Sequence, residues 1–78
     1  MNLQKEFNNN NIEEFKRIIQ DENEEFDKKF LDNMILRVVN SNPELISLLV
    51  QRGADLDKAI VELKATNNVV YILDVLNS

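Results

Sequence analysis

Ser41-Asn42-Pro43-Glu44-Leu45-Ile46-Ser47-Leu48-Leu49-Val50-Gln51-Arg52-Gly53-Ala54-Asp55 contains a complete helix with both ends marked in the sequence. Ser41 or Asn42 supplies an N-cap side chain for a free N–H of the first turn. Pro43 stands at the first helical position, where its missing N–H is not needed. Ser41 and Glu44 have the spacing of a capping box. Leu45, Ile46, Leu48, Leu49 and Val50 form a broad apolar face. Gly53, just past the last turn, is free to take the left-handed conformation that ends a helix. Burial of this face predicts that Leu48→Ala or Leu49→Ala costs ~2–5 kcal/mol.

Outward from this segment the chain reads as helix in both directions. Met1 to Asn9 carries Leu3 and Phe7 four residues apart, the spacing of one apolar edge. Asn8-Asn9-Asn10-Asn11 interrupts it, because asparagine favours turns and caps over helix interiors. Asn11 then caps a second helix, Ile12 to Gln20, with Glu13 and Glu14 in its first turn and Ile12, Phe15, Ile18 and Ile19 on one face. Asp21 to Glu25 reads as a solvated acidic linker. A third helix, from about Glu24 or Asp27 to Asn40, repeats Phe26, Phe30, Met34 and Val38 every four residues beside Leu31, Ile35 and Val39. Its wide apolar face predicts the most buried element. After the central helix, Asp55 or Asp57 caps a fifth, running to about Thr66 with Ala59, Ile60, Leu63 and Ala65 apolar. Asn67-Asn68 repeats the asparagine punctuation, and Val69 to Leu76 is a sixth. Its β-branched content also suits a strand, but a lone strand has nothing to pair with.

The second, fourth and sixth helices form an internal repeat. Asn11 matches Asn42 at an offset of 31 residues, and Asn67 or Asn68 matches Ser41 at 26 or 27. Each unit is a helix, an Asn-rich turn and a second helix. Such a pair cannot bury its face alone, so stacking of neighbours makes the core continuous.

The central segment resembles the second helix of an ankyrin repeat, whose usual run is close to G-x-L-E-I-V-x-L-L-L-x-x-G-A-D. Glu44, Leu45, Ile46, Leu48, Leu49, Val50, Gly53, Ala54 and Asp55 fall on it in register. Residues 10–20 and 59–76 are similar to it less closely, and 21–40 least. The family's T-P-L-H opening is missing. The hairpin that projects between units is reduced after Asp55 to Leu56, Asp57 and Lys58. The resemblance implies an all-α fold of stacked helix-turn-helix pairs, five to six helices in a single domain over residues 1–78. It also implies a partner protein held on the exposed face of the first helices. The residues it assigns to that face are Lys28, Lys29, Asp32, Asn33 and Arg37 of the third helix, and Lys58, Glu62, Lys64 and Thr66 of the fifth.

Composition narrows the function. The chain has 78 residues, no cysteine and no histidine, so the commonest transition-metal ligands and the usual neutral-pH base are both absent. Its 14 acidic and 9 basic residues give a net charge of −5, which disfavours phosphate backbones and anionic lipid. Lys16-Arg17 and Lys28-Lys29, the only basic pairs, are interrupted by acids. No apolar run reaches the length of a membrane span, and the start lacks the basic-then-apolar order of a signal peptide. An intracellular, cytoplasmic protein is expected. The asparagine, lysine and isoleucine usage suits an AT-rich genome, so the compartment would be host cytoplasm for a virus, phage or intracellular bacterium.

No constellation for chemistry emerges. Asp21-x-Asn23-x-Glu25-x-Asp27 with Asp32 has the outline of a calcium loop, but Phe26 replaces the glycine of the turn and Lys29 places a cation at a ligand position. Ser41, Ser47, Thr66, Tyr71 and Ser78 have no histidine to activate them. Adjacent carboxylates such as Glu13 and Glu14 diverge by about 100° on a helix. Gly53 is the only glycine, which removes phosphate-cradling loops. Phe7, Phe15, Phe26 and Phe30 sit at core spacing, with Tyr71 partly exposed. The expectation is therefore a non-enzyme without catalytic, cofactor or metal residues, binding another protein and not nucleic acid or membrane. The alternative is a small acidic inhibitor or decoy that blocks a nucleic-acid-binding protein or enzyme. Ile72, Val75 and Leu76 form an apolar edge that predicts a homodimer.

Overall fold

Asn2 opens the first helix by accepting the Lys5 N–H on its side-chain Oδ1 at 3.1 Å. The computed structural model describes residues 2–78, which are all-helical, with no strand among them. Six α-helices follow in order: α1 (Leu3–Asn8), α2 (Ile12–Ile19), α3 (Lys28–Val38), α4 (Ile46–Gln51), α5 (Leu56–Ala65) and α6 (Ile72–Leu76). Short 3-10 turns, Pro43–Leu45 and Val69–Tyr71, lead into α4 and α6. Met1, where the sequence reading begins the first helix, lies outside the described residues.

The asparagine-rich turns act differently from the expectation. Asn11, Asn42 and Asn68 stand at the N-cap positions, yet none of their side chains makes a capping bond to the helix that follows. Asparagine's contribution comes one residue earlier, at Asn10 and Asn67, which take the left-handed conformation with φ of 57° and 60°. Around Asn10 the N–H groups of Asn10 and Asn11 donate to the Phe7 and Glu6 carbonyls. Around Asn67 the N–H groups of Asn67 and Asn68 donate to the Lys64 and Leu63 carbonyls. Gly53, at φ 118°, repeats the scheme, with Gly53 and Ala54 donating to Val50 and Leu49. These are three Schellman endings, in which a short polar residue or glycine tolerates positive φ.

Ser41 does not cap α4. Its N–H donates to the Val38 carbonyl at 3.1 Å, so it closes α3. The capping box with Glu44 is consequently not formed, and Glu44 instead accepts from the Asn42 side chain at 3.2 Å. The Leu45 N–H returns to the Asn42 carbonyl at 2.9 Å, an i to i−3 bond that tightens the first turn. Asp55 does cap α5 as read, accepting the Lys58 N–H at 3.1 Å.

Helices pack in consecutive pairs, α1 on α2, α3 on α4 and α5 on α6. The pairs then meet through α3 against α5, and through α2 against α4 and α4 against α6. Two hydrogen bonds fix α3 and α5 as parallel neighbours. The Asp55 N–H, at the start of α5, donates to Asp32 near the start of α3 at 2.8 Å. Asn68, beyond the end of α5, donates to the Val39 carbonyl at the end of α3 at 3.4 Å. Phe15, Ile18 and Ile19 of α2, Leu31, Met34, Ile35 and Val38 of α3, and Leu45, Ile46 and Leu49 before and within α4 fill the core. Leu48, read as part of that face, is only half-buried, because it points into the crevice between α2 and α4 beside Ile19 and Arg52. No buried side-chain nitrogen or oxygen among the described residues lacks a partner.

Candidate protein-interaction surface

Helix α3 separates the residues assigned to partner binding into two groups. Lys28 and Asp32, one turn apart, reach across the pair boundary toward α5, with Lys28 still exposed. The Lys28 ammonium lies 3.2 Å from Asp32 and 3.6 Å from Asp55, and the second Asp32 oxygen accepts the Asp55 N–H. This small network ties α3 to the cap of α5. The Lys58 N–H, and against it partial desolvation, then the Lys28 charge, act on the Asp55 carboxyl; the net effect lowers its pKa below the ordinary value.

Lys29, Asn33 and Arg37 form the second group. They recur every four residues and therefore line one exposed stripe of α3. Among the described residues neither cation has a carboxylate within ion-pair distance. Leu36, on the same side, is exposed although it is large and apolar. Asn33, Leu36 and Arg37 join Gln4, Phe30 and Met34 around a groove between α1 and α3. Half-buried Phe30 stacks on Phe26, ring centroids 6.5 Å apart, at its edge.

The α5 residues are less unified. Lys58, Glu62 and Thr66 share a stripe, but Lys64 lies roughly 200° around the helix from Glu62. Thr66 is engaged at the helix end, its hydroxyl donating to the Glu62 carbonyl at 2.8 Å and accepting from Asn68 at 2.7 Å. Glu13 and Glu14 on α2 lie beside Lys16 and Arg17; the Arg17 guanidinium lowers the Glu14 pKa and is itself raised by that bond.

One residue to which the sequence assigns no role ties α4 to the connection between α2 and α3. Arg52, at the end of α4, donates to the Ile19 carbonyl at 2.6 Å, to the Asp21 carbonyl at 2.9 Å and to the Glu24 carbonyl. The supposed solvated linker is thus fastened through its backbone, while Glu22 and Glu25 are exposed and the Asp21 carboxylate accepts the Asn23 N–H at 2.9 Å. The available signal was that Arg52 is the only cation between Arg37 and Lys58, placed at a helix C-terminus, where a positive charge is favourable.

Among the described residues no group of three acidic side chains is placed to hold a metal ion, and no helix is long and apolar enough to cross a membrane. No family model, no curated protein and no solved structure matches this chain.

Proposed function

We propose that the protein is a non-catalytic interaction module of stacked, ankyrin-like helix pairs that holds a partner protein on the exposed face of α3. The observation that carries this reading is the α3 stripe. Among the described residues Lys29 and Arg37 have no carboxylate within ion-pair distance, and with Asn33 they stand beside exposed Leu36 on a protein whose net charge is −5. Cations left without carboxylates in an acidic protein, next to an exposed leucine, fit a partner segment bearing both acidic and apolar side chains. The repeated pairing of helices, with parallel α3 and α5, supports the ankyrin-like arrangement. The inhibitor reading calls for free rows of carboxylates; Glu13, Glu14, Asp32 and Asp55 each lie against a cation, which leaves the acidic stretch from Asp21 to Asp27 as its support.

The test is affinity capture from lysate of the natural source with nuclease present, using the parent, an Arg37→Glu/Leu36→Ser variant, and a control substituted on α2, Glu13→Lys. A protein retained by the parent and control but lost by the α3 variant is the expected result. Capture that survives the α3 variant, or depends on nucleic acid, overturns the reading.

A further inference from the structure

The three N-cap asparagines, Asn11, Asn42 and Asn68, put α2, α4 and α6 in a common frame with offsets of 31 and 26 residues. In that frame Phe15, Ile46 and Ile72 are equivalent, as are Ile18, Leu49 and Val75; five of these six are part of or pack on the core as buried side chains, and Ile72 is half-buried. The outward positions break the pattern. Where α2 has Glu13 and the turn before α4 has Glu44, the last unit has Val70. Where they have Lys16 and Ser47, it has Leu73. Val70 is 74% exposed and Leu73 66% exposed, the two largest exposures among the large apolar side chains of the described residues. With Val69 and Leu76, also more than half exposed, they form one stripe at i, i+1, i+4 and i+7. By contrast, none of the described large apolar residues before Leu36 is exposed.

Stacking of a further helix pair does not account for Val70 and Leu73, since the equivalent positions in the two earlier units stay polar at the pair boundaries. We infer that the stripe Val69, Val70, Leu73 and Leu76 is a self-association surface, covered by the same stripe of a second copy in a two-fold, α6-to-α6 contact. Charge singles out this occupant. From Ala65 to Ser78 the only charged side chain is Asp74, so two copies of an acidic protein meet here with the least repulsion. Area fits as well. Four such side chains offer on the order of 400 Å² per copy, and with their polar surroundings a pair buries about 1,000 Å², the lower bound of a specific interface. Head-to-tail growth is disfavoured because, among the described residues, the α1–α2 end has no exposed large apolar side chain. The surface differs from the one read from sequence, since Val75 is buried and Ile72 half-buried. It is also independent of the α3 face.

Sedimentation of the full chain from about 10 μM to about 1 mM, the range suited to a contact of this size, tests the inference. The parent should rise towards a plateau at twice the monomer mass. Added salt should strengthen association, by screening the rim Asp74 pair and the net charge. Val70→Glu and Leu73→Ser, each installing a residue the chain already uses at the equivalent position, should weaken association at least tenfold with unchanged helical signal. A monomer throughout, a mass that climbs past two copies, or a dimer indifferent to both variants overturns it.

Discussion

The guanidinium of Arg52 lies over the ring of Phe26, 4.9 Å from its centroid, while its nitrogens hold three backbone carbonyls of the segment that precedes that ring. One side chain thereby joins α4 to the end of α2 and to the connection leading into α3. The planar fork is suited to several carbonyls at once, and a lysine ammonium is not.

Arg52→Ala should therefore lower stability by about 2–4 kcal/mol, since it removes charge-assisted bonds and leaves part-buried carbonyls unpaired. Arg52→Lys should recover less than half of the loss. Phe26→Leu should cost only ~0.5–1 kcal/mol beyond its change in packing. Urea denaturation of the three variants checks the order; equal stability of the Lys and Arg proteins would contradict the role given to the fork.

The two leucines of the central helix should separate. Leu49 is fully buried, so Leu49→Ala should cost ~2–5 kcal/mol, close to the whole stability of a small domain. Leu48 is half-buried at the α2–α4 crevice, and Leu48→Ala should cost roughly half as much. Thermal melts distinguish them, and matching losses would place Leu48 in the core after all.

The left-handed turns make a conformational prediction. Asn67→Ala and Asn10→Ala should each destabilise by ~1–2 kcal/mol, and the Gly variants should equal or exceed the parent. Gly53→Ala should be destabilising for the same reason and not through a clash, because the nearest atom to an added Cβ, Leu31 Cδ1, is 4.0 Å away. Melting temperatures of the Ala and Gly pairs test this directly.

Acid should weaken the α3–α5 junction. The folded pKa of Asp55 is lowered, so its contribution is fully present above the unfolded carboxylate's pKa and is lost as pH falls through the folded one. Asp55→Asn should flatten stability against pH in that acidic window and leave the neutral-to-basic side unchanged in slope. Glu14 titrates in the same direction, so a double variant with Glu14→Gln should flatten the profile further.

All six helices are legible in the sequence because each carries its own apolar stripe and its own local stop. The Asp55 cap and the Gly53 ending are readable too, since both depend on residues within one turn. Ser41 is misplaced because two cap-forming residues adjoin, and the α3 ending takes its N–H before α4 begins. Asn10 and Asn67 are readable as turn residues, but whether an asparagine acts through its side chain or its backbone dihedral is set by the incoming helix. Among the candidate site residues, Lys28 and Asp32 look like any solvated pair until α5 is laid alongside them. Lys29, Asn33 and Arg37 share a face by spacing alone. The role of Arg52 depends on carbonyls 28 to 33 residues away, beyond the reach of local pattern; the repeat and an apolar edge at Leu76 are legible, but that Val70 and Leu73 face outward while Val75 is buried is set by packing.

The carbonyls that Arg52 grips lie 28 to 33 residues upstream, whereas the bonds within each helix pair close over a few residues. Short loops close first and long ones later. If the clasp forms after the rate-limiting encounter, it must be undone before the units separate and acts as a brake on unfolding. Its loss should appear in the unfolding limb of the kinetics, with refolding nearly unchanged. The lifetime of the native state, more than the speed of reaching it, then rests on a single arginine.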